Sequence, residues 1–131
     1  MVERGNGIMI LLKLLKNKFA CIKYTTDHRK AFIKLEKELL GRNTLRGYMH
    51  DVDKVFLKIF LPEDVVHKIH TRFSHHHRKA HTKKDYQQMV IDCECARFTK
   101  PDKPLNARET LEAYYKPMTE TILPIIEELN L

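Results

Sequence analysis

The sequence of 131 residues contains few of the residues that interrupt helices, with only four glycines and five prolines. Alternation of β-branched and polar residues is nearly absent, so no strands are predicted. Three cysteines are too few for a disulfide framework and favour a reducing compartment. The longest apolar run, Ile8–Leu12, stops at Lys13 and is too short for a membrane span or a signal-peptide core. We therefore expect an all-α protein of the cytoplasm, neither secreted nor bound to a membrane.

Apolar residues at helical spacing predict one compact domain over residues 1–131, a bundle of about five to six helices. The predicted helices cover residues 7–20, Thr25 or Thr26 to just before Gly41, 44–60, Pro62 into the histidine run, 82–98 and 107–129. Residues 99–104 are predicted to form a loop, and Pro117 and Pro124 to kink or break the last helix. We expect helix 7–20 to pack into the core or to form a dimer, in preference to lying on a membrane surface.

Charge is distributed unevenly along the chain. The 24 basic residues exceed the 17 acidic residues and leave a net charge of +7. From Val65 to Lys84 there is no acidic residue, whereas six of the eight histidines lie in this window with six lysines and arginines. Past Arg108 the charge becomes mostly acidic. The basic centre favours an anionic partner such as a nucleotide, a nucleic acid or a phosphate ester.

A few histidines and aspartates are spaced in a way that favours a metal site. His50-Asp51 lies within a predicted helix, and His28 lies near the start of the preceding one. Asp92 occupies an otherwise apolar helical stretch, where a carboxylate is costly unless it is paired or binds a metal. Imidazole and carboxylate together suit first-row divalent metals. Side chains from three helices could therefore surround one cation.

The order of a histidine, a His-Asp pair and a distant aspartate resembles the HD-domain phosphohydrolase superfamily, including its short HD-like members. The resemblance covers about residues 26–98 and implies a helical bundle that binds a divalent metal. The four implied ligands are His28, His50, Asp51 and Asp92. The stretch His50-Asp51-Val52-Asp53-Lys54 also resembles the HD-x-x-Lys variant, whose lysine faces the scissile phosphate, and this role falls on Lys54.

Members of the superfamily with two metals carry additional histidines between the His-Asp pair and the last aspartate, and the paired aspartate bridges the two ions. The candidates in this sequence are His70, His75 and His76. On one uninterrupted helix, however, His70, His77 and His81 would share a face, and the other two candidates would point elsewhere. A helix break near Ser74 would resolve this conflict, and the sequence does not require one. One or two divalent ions are therefore expected, and the histidine ligands remain open.

The resemblance implies a divalent-metal-dependent phosphohydrolase in which metal-activated water attacks a nucleotide or another small phosphate ester. Asp51 would orient the water or bridge two ions. The residues expected to offset charge on the phosphoryl group are Lys54, Arg78, Lys79 and Arg97. Manganese, iron, cobalt, nickel, zinc and magnesium are all compatible with such ligands.

Two other functions are left open by the sequence. A basic helical protein could bind nucleic acid through Val65–Lys84, with an affinity that falls steeply with salt. An HD-like module could also bind metal or nucleotide without turnover, because it would need the same ligands. Association into a homodimer is a further open expectation.

Overall fold

The computed structural model describes residues 2–77, 79–100, 102 and 104–131. The described residues form seven α-helices, of which α2 is a single turn, and they contain no strand. The helices are α1 (Val2–Leu40), α2 (Leu45–Tyr48), α3 (Val52–Phe60), α4 (Glu63–Phe73), α5 (Lys83–Thr99), α6 (Ala107–Tyr114) and α7 (Thr119–Glu128). The predicted all-α bundle is thereby confirmed.

One continuous helix, α1, packs against α3 and α5 through its C-terminal half. The predicted separation of two helices near Thr25 is wrong. The hydroxyl groups of Thr25 and Thr26 do not cap a new helix but donate to the carbonyls of Cys21 and Ile22, four residues earlier. The helix ends, as predicted, before Gly41, whose φ of +74° suits a residue without a side chain.

The N-terminal half of α1 does not enter the core. Every described side chain from residue 5 to residue 17 is exposed, and partial burial begins at Lys18. The expectation that helix 7–20 packs into the core of its own chain is therefore wrong. In the part of the chain that the structure describes, no helix is both long and apolar enough to cross a membrane.

The predicted helix 44–60 is divided by a turn at His50-Asp51. Thr44 caps α2 by accepting a hydrogen bond from the amide of Gly47, and α3 begins at Val52. Asp51 has a φ of +55° in the left-handed region, which is uncommon for a residue with a side chain. A left-handed residue cannot continue a right-handed helix, so the pair lies at a corner between two helices.

Helix α4 follows Pro62 and ends at Phe73, with Ser74 as its C-terminal cap, so the histidine run is not one helix. Residues 75–77 form a turn, and α5 begins after Thr82 with a capping box between Thr82 and Asp85. After the connection at 100–106, Asn106 caps α6. The predicted C-terminal helix is broken near Pro117, whereas Pro124 lies inside α7.

The core lies where α1, α5, α6 and α7 meet. Its least exposed members include Phe32 from α1, Ile91 and Cys95 from α5, and Ile126 from α7, each 0 % exposed. Burial of each such side chain contributes on the order of 1.5–3 kcal/mol. This core holds α1 against α5, and these two helices carry His28 and Asp92.

Candidate metal centre

The His50-Asp51 corner is fastened to α1 by two buried or half-buried side chains. Arg29 donates from Nε to the carbonyl of His50 at 2.8 Å and from Nη2 to the carbonyl of Tyr48 at 2.6 Å. Glu36, 0 % exposed, accepts from the amide and the hydroxyl of Thr44, both at 2.8 Å. These bonds explain how a corner with a left-handed residue keeps one position.

Four predicted residues meet at the first candidate site, although they come from α1, the corner and α5. Nε2 of His28 lies 2.7 Å and Nε2 of His50 lies 3.0 Å from Oδ1 of Asp92. Oδ2 of Asp51 lies 3.7 Å and 3.5 Å from the same two nitrogens. Metal bonds of about 2.0–2.1 Å in a tetrahedral site place ligand atoms about 3.3 Å apart. The four side chains therefore have the spacing that a divalent cation needs.

A second candidate site shares Asp51 with the first. Nε2 of His70 lies 3.0 Å and Nε2 of His76 lies 3.3 Å from Oδ1 of Asp51. The two imidazole nitrogens are 3.2 Å apart, and His77 adjoins them, 4.0 Å from Oδ2 of Asp92. The carboxylate of Asp51 thus directs one oxygen towards the first site and one towards the second.

Oδ1 of Asp51 is buried and accepts no hydrogen bond of good geometry, despite the two nitrogens close to it. A buried carboxylate oxygen of this kind is costly unless a cation or a donor satisfies it. Imidazole nitrogens and carboxylate oxygens are also ligands that divalent metals accept. The residues present therefore fit a divalent metal at both sites.

Three of the histidines are held through their other ring nitrogen. Nδ1 of His28 lies 3.1 Å from the Thr99 hydroxyl, and Nδ1 of His70 lies 2.7 Å from Oδ2 of Asp53. Nδ1 of His76 lies 2.7 Å from the hydroxyl of Ser74. Such outer partners select the tautomer and orient Nε2 towards a metal.

None of these three outer partners was predicted from the sequence. Asp53 could have been recognised from the sequence, because it is a carboxylate two residues after the His-Asp pair. No local pattern indicates Thr99, because it reaches His28 from 71 positions away along the chain.

The pKa values of the cluster reflect a balance between burial and charge. Burial alone would lower the pKa of His28, but the interactions with Asp92 and Cys95 together outweigh it and raise the pKa to about 10. Burial opposes ionisation of both carboxylates, yet His50 and His28 hold the pKa of Asp92 well below its ordinary value. His70 and His76 do the same for the pKa of Asp51.

Burial dominates at two other imidazoles of the cluster. It lowers the pKa of His50, and it lowers the pKa of His77 to about 3. The ionised carboxylates and the neutral rings of His50 and His77 are in the protonation states that metal ligands require. The pKa of His70 is instead raised, because its hydrogen bonds with Asp51 and Asp53 outweigh burial. A cation bound beside His28 would have to replace the proton on that ring.

The remaining predicted site residues are placed as follows. Nζ of Lys54 lies 3.3 Å from Oδ2 of Asp51, at the edge of the cluster. Lys79 is exposed and lies over the ring of Phe73. Arg97 bonds to Glu94 and lies over the ring of Phe98. Arg78 lies outside the described residues. Of the four predicted phosphate-binding residues, Lys54 is thus the one that the described structure brings to the cluster.

His75 is exposed and lies apart from the cluster, in a group with His81 and Asp85. The break after Ser74 therefore brings His76, and not His75, against His70. Asp85 already pairs with Arg46 through Oδ1, and its Oδ2 accepts from the amides of His81 and Thr82 at 3.1 Å. We assign this carboxylate to the N-terminal cap of α5, because both of its oxygens are occupied.

A cleft of about 810 Å³ adjoins the cluster. One of its walls is formed by His50, Asp51 and His76. The lining also includes basic, aromatic and apolar side chains. These are Arg46, Met49, Phe73, His81 and Lys84. The volume falls within the roughly 300–1,000 Å³ of small-molecule sites.

Comparisons of this chain with family models, with curated proteins and with solved structures find no match. Function is therefore inferred from the geometry of the cluster and of its cleft.

Proposed function

We propose that this protein is a divalent-metal-dependent phosphohydrolase that acts on a small phosphate ester, with a nucleotide as the best-fitting substrate class. The observation that carries the proposal is that the two oxygens of one carboxylate face two different groups of ligands. Oδ2 of Asp51 faces His28 and His50, and Oδ1 faces His70 and His76. This arrangement supports two adjacent cations that share Asp51, as the HD-domain resemblance implies.

When bound, divalent ions supply a water of lowered pKa and neutralise charge on a phosphoryl group. The chain's own contribution begins with Asp51 and Asp92, whose ionised carboxylates would hold the ions. Lys54 lies beside Asp51 and keeps 22 % of its side chain exposed. Its ammonium group can therefore donate to a phosphoryl oxygen without leaving the carboxylate. This contact would stabilise negative charge that develops in the transition state.

The lining of the cleft beside the cluster suits a nucleotide better than inorganic phosphate. Met49 is 57 % and Phe73 is 56 % exposed, and both line the cleft. The part of the Phe73 ring that Lys79 leaves exposed provides a stacking surface for a base. Arg46 and Lys84 add positive charge on the same lining. The cleft thus combines an apolar contact surface with charge complementary to a phosphate ester.

The proposal is tested with protein that is stripped of metal, reloaded with single divalent ions and assayed on aryl phosphates and nucleotides. We expect about two ions per chain and metal-dependent hydrolysis. Asp51→Asn should lose both ions and lower kcat/KM at least about 100-fold, because the shared ligand and its charge are removed. The matched control is Asp64→Asn, which changes an exposed aspartate of α4 and should behave as the wild type.

Three results would overturn the proposal. Protein that takes up no ion would exclude the metal centre. Uptake of metal with no hydrolysis of any phosphate ester would assign the cluster to binding without turnover. Binding of nucleic acid that Lys83→Ala and Lys84→Ala weaken, with no metal-dependent hydrolysis, would favour the nucleic-acid-binding alternative.

A further inference from the structure

The N-terminal arm, which we define as residues 5–19 of α1, extends from the bundle as a helix without tertiary partners among the described residues. It carries eight large apolar side chains that are each 43–70 % exposed. They are Ile8, Met9, Ile10, Leu11, Leu12, Leu14, Leu15 and Phe19. Contiguous apolar patches on a typical monomer rarely exceed about 300–600 Å². An exposed apolar run of this size on one helix indicates a surface that a binding partner covers.

The arm is amphipathic, with a wide apolar arc. At about 100° per residue, the arc from Ile10 through Leu14 and Leu15 to Leu12 covers about 200° of the helix circumference. Lys13 and Lys16 occupy the opposite arc together with Met9, whereas Lys18 lies within the apolar arc, near the end of the arm that adjoins the bundle. This arc is wider than the seam that a two-stranded coiled coil buries, which uses a narrower stripe.

The charges of the arm indicate which partner can cover this surface. No acidic residue lies between Glu3 and Asp27, whereas the arm has Lys13, Lys16 and Lys18. A second copy of the arm would bring lysines together with no carboxylate of the arm to pair with them. An anionic surface is complementary to the lysines and also accepts the apolar arc.

Against the expectation from the sequence of a core-packing or dimer-forming helix, we infer that the arm docks in the surface of a bilayer that contains anionic phospholipids. The apolar arc would lie at the boundary between headgroups and acyl chains, and the lysines would contact the headgroup phosphates. The bundle need not open for this contact, because the buried face of α1 begins only near Cys21. The association is peripheral and is independent of the proposed phosphohydrolase activity.

The test uses the full chain and sedimentation with vesicles of two compositions. We expect binding to vesicles of phosphatidylcholine and phosphatidylglycerol, and at least about tenfold weaker binding to phosphatidylcholine alone. The double variant Leu12→Glu and Leu15→Glu should bind the anionic vesicles at least about tenfold more weakly, because it places charge in the apolar arc. Lys13→Glu with Lys16→Glu should remove the preference for anionic lipid.

The matched control is Phe60→Glu, which changes a side chain that is 79 % exposed and lies outside the arm. It should bind vesicles as the wild type does, and circular dichroism should show folded bundles for all variants. Equal binding by the wild type and the Leu12/Leu15 variant would overturn the inference. A dimer in analytical ultracentrifugation that this variant abolishes, together with no vesicle binding, would assign the surface to a second copy instead.

Discussion

Asp53 and His70 are joined by a hydrogen bond of 2.7 Å between Oδ2 and Nδ1. The opposite nitrogen of the same ring lies 3.0 Å from Oδ1 of Asp51. The imidazole is therefore held between a carboxylate that orients it and a carboxylate that would share a cation with it. Asp53 is half exposed, at 51 % of its side chain, so its role is separable from core packing.

This relationship predicts the effect of Asp53→Ala. Without the acceptor on Nδ1, the ring of His70 loses its preferred tautomer and orientation. We expect affinity for one of the two ions to fall about 10–100-fold, while the other ion remains bound. Titration of stripped protein with a single divalent metal measures both affinities.

Asp64→Ala is the control for this experiment, since it removes an exposed carboxylate of the helix that carries His70. Unchanged affinities in Asp53→Ala would show that the hydrogen bond does not support a metal ligand. Equal loss of both ions would indicate a general disturbance of the corner.

A second prediction concerns the close approach of Gly47 to Glu36. A Cβ atom at position 47 would lie much closer to the Glu36 carboxylate than atoms can approach. The side chain of Glu36 is buried and bonded to Thr44 and Gln88, so it has little freedom to move away. We expect Gly47→Ala to lower the free energy of unfolding by about 1–3 kcal/mol.

Chemical denaturation compares this variant with Gly7→Ala, where nothing lies within 4 Å of an added Cβ. The control should be neutral or should stabilise its helix by up to about 1 kcal/mol. Equal stability of the two variants would disprove the tight contact between α1 and α2.

A third prediction follows from the Asp85 cap and its dependence on pH. Burial opposes ionisation of Asp85, but Arg46 and the amides of His81 and Thr82 outweigh it and lower the pKa. A pKa that is lower in the folded chain means that the carboxylate stabilises the fold above its unfolded pKa, near 3.9. This contribution is lost as the pH falls through the folded pKa.

Asp85→Asn should therefore lower the free energy of unfolding by about 1–2 kcal/mol at neutral pH. The difference from the wild type should stay constant above about pH 5 and shrink below about pH 4. Denaturation curves across this range measure it. A difference that does not depend on pH would mean that the ionised form of the carboxylate contributes nothing.

Much of the secondary structure was predictable because its signals are local. Gly41 ends a helix, Pro62 precedes one, and Thr82 caps one, each through contacts within a few residues. Thr25 gave a false signal, because a threonine hydroxyl can also bond to the carbonyl four residues earlier inside a helix.

The sequence by itself determined the all-helical class and the order of His28, His50, Asp51 and Asp92, since residue type and spacing are properties of the chain. The tertiary structure alone decided the left-handed corner at Asp51 and the choice of His76 over His75. It also brought the outer partner Thr99 to its histidine and left the N-terminal arm exposed. The physical reason is the same in each case. A histidine ring is oriented, and an apolar face is covered or left bare, by helices that are distant in sequence and meet only when the core of α1, α5, α6 and α7 forms.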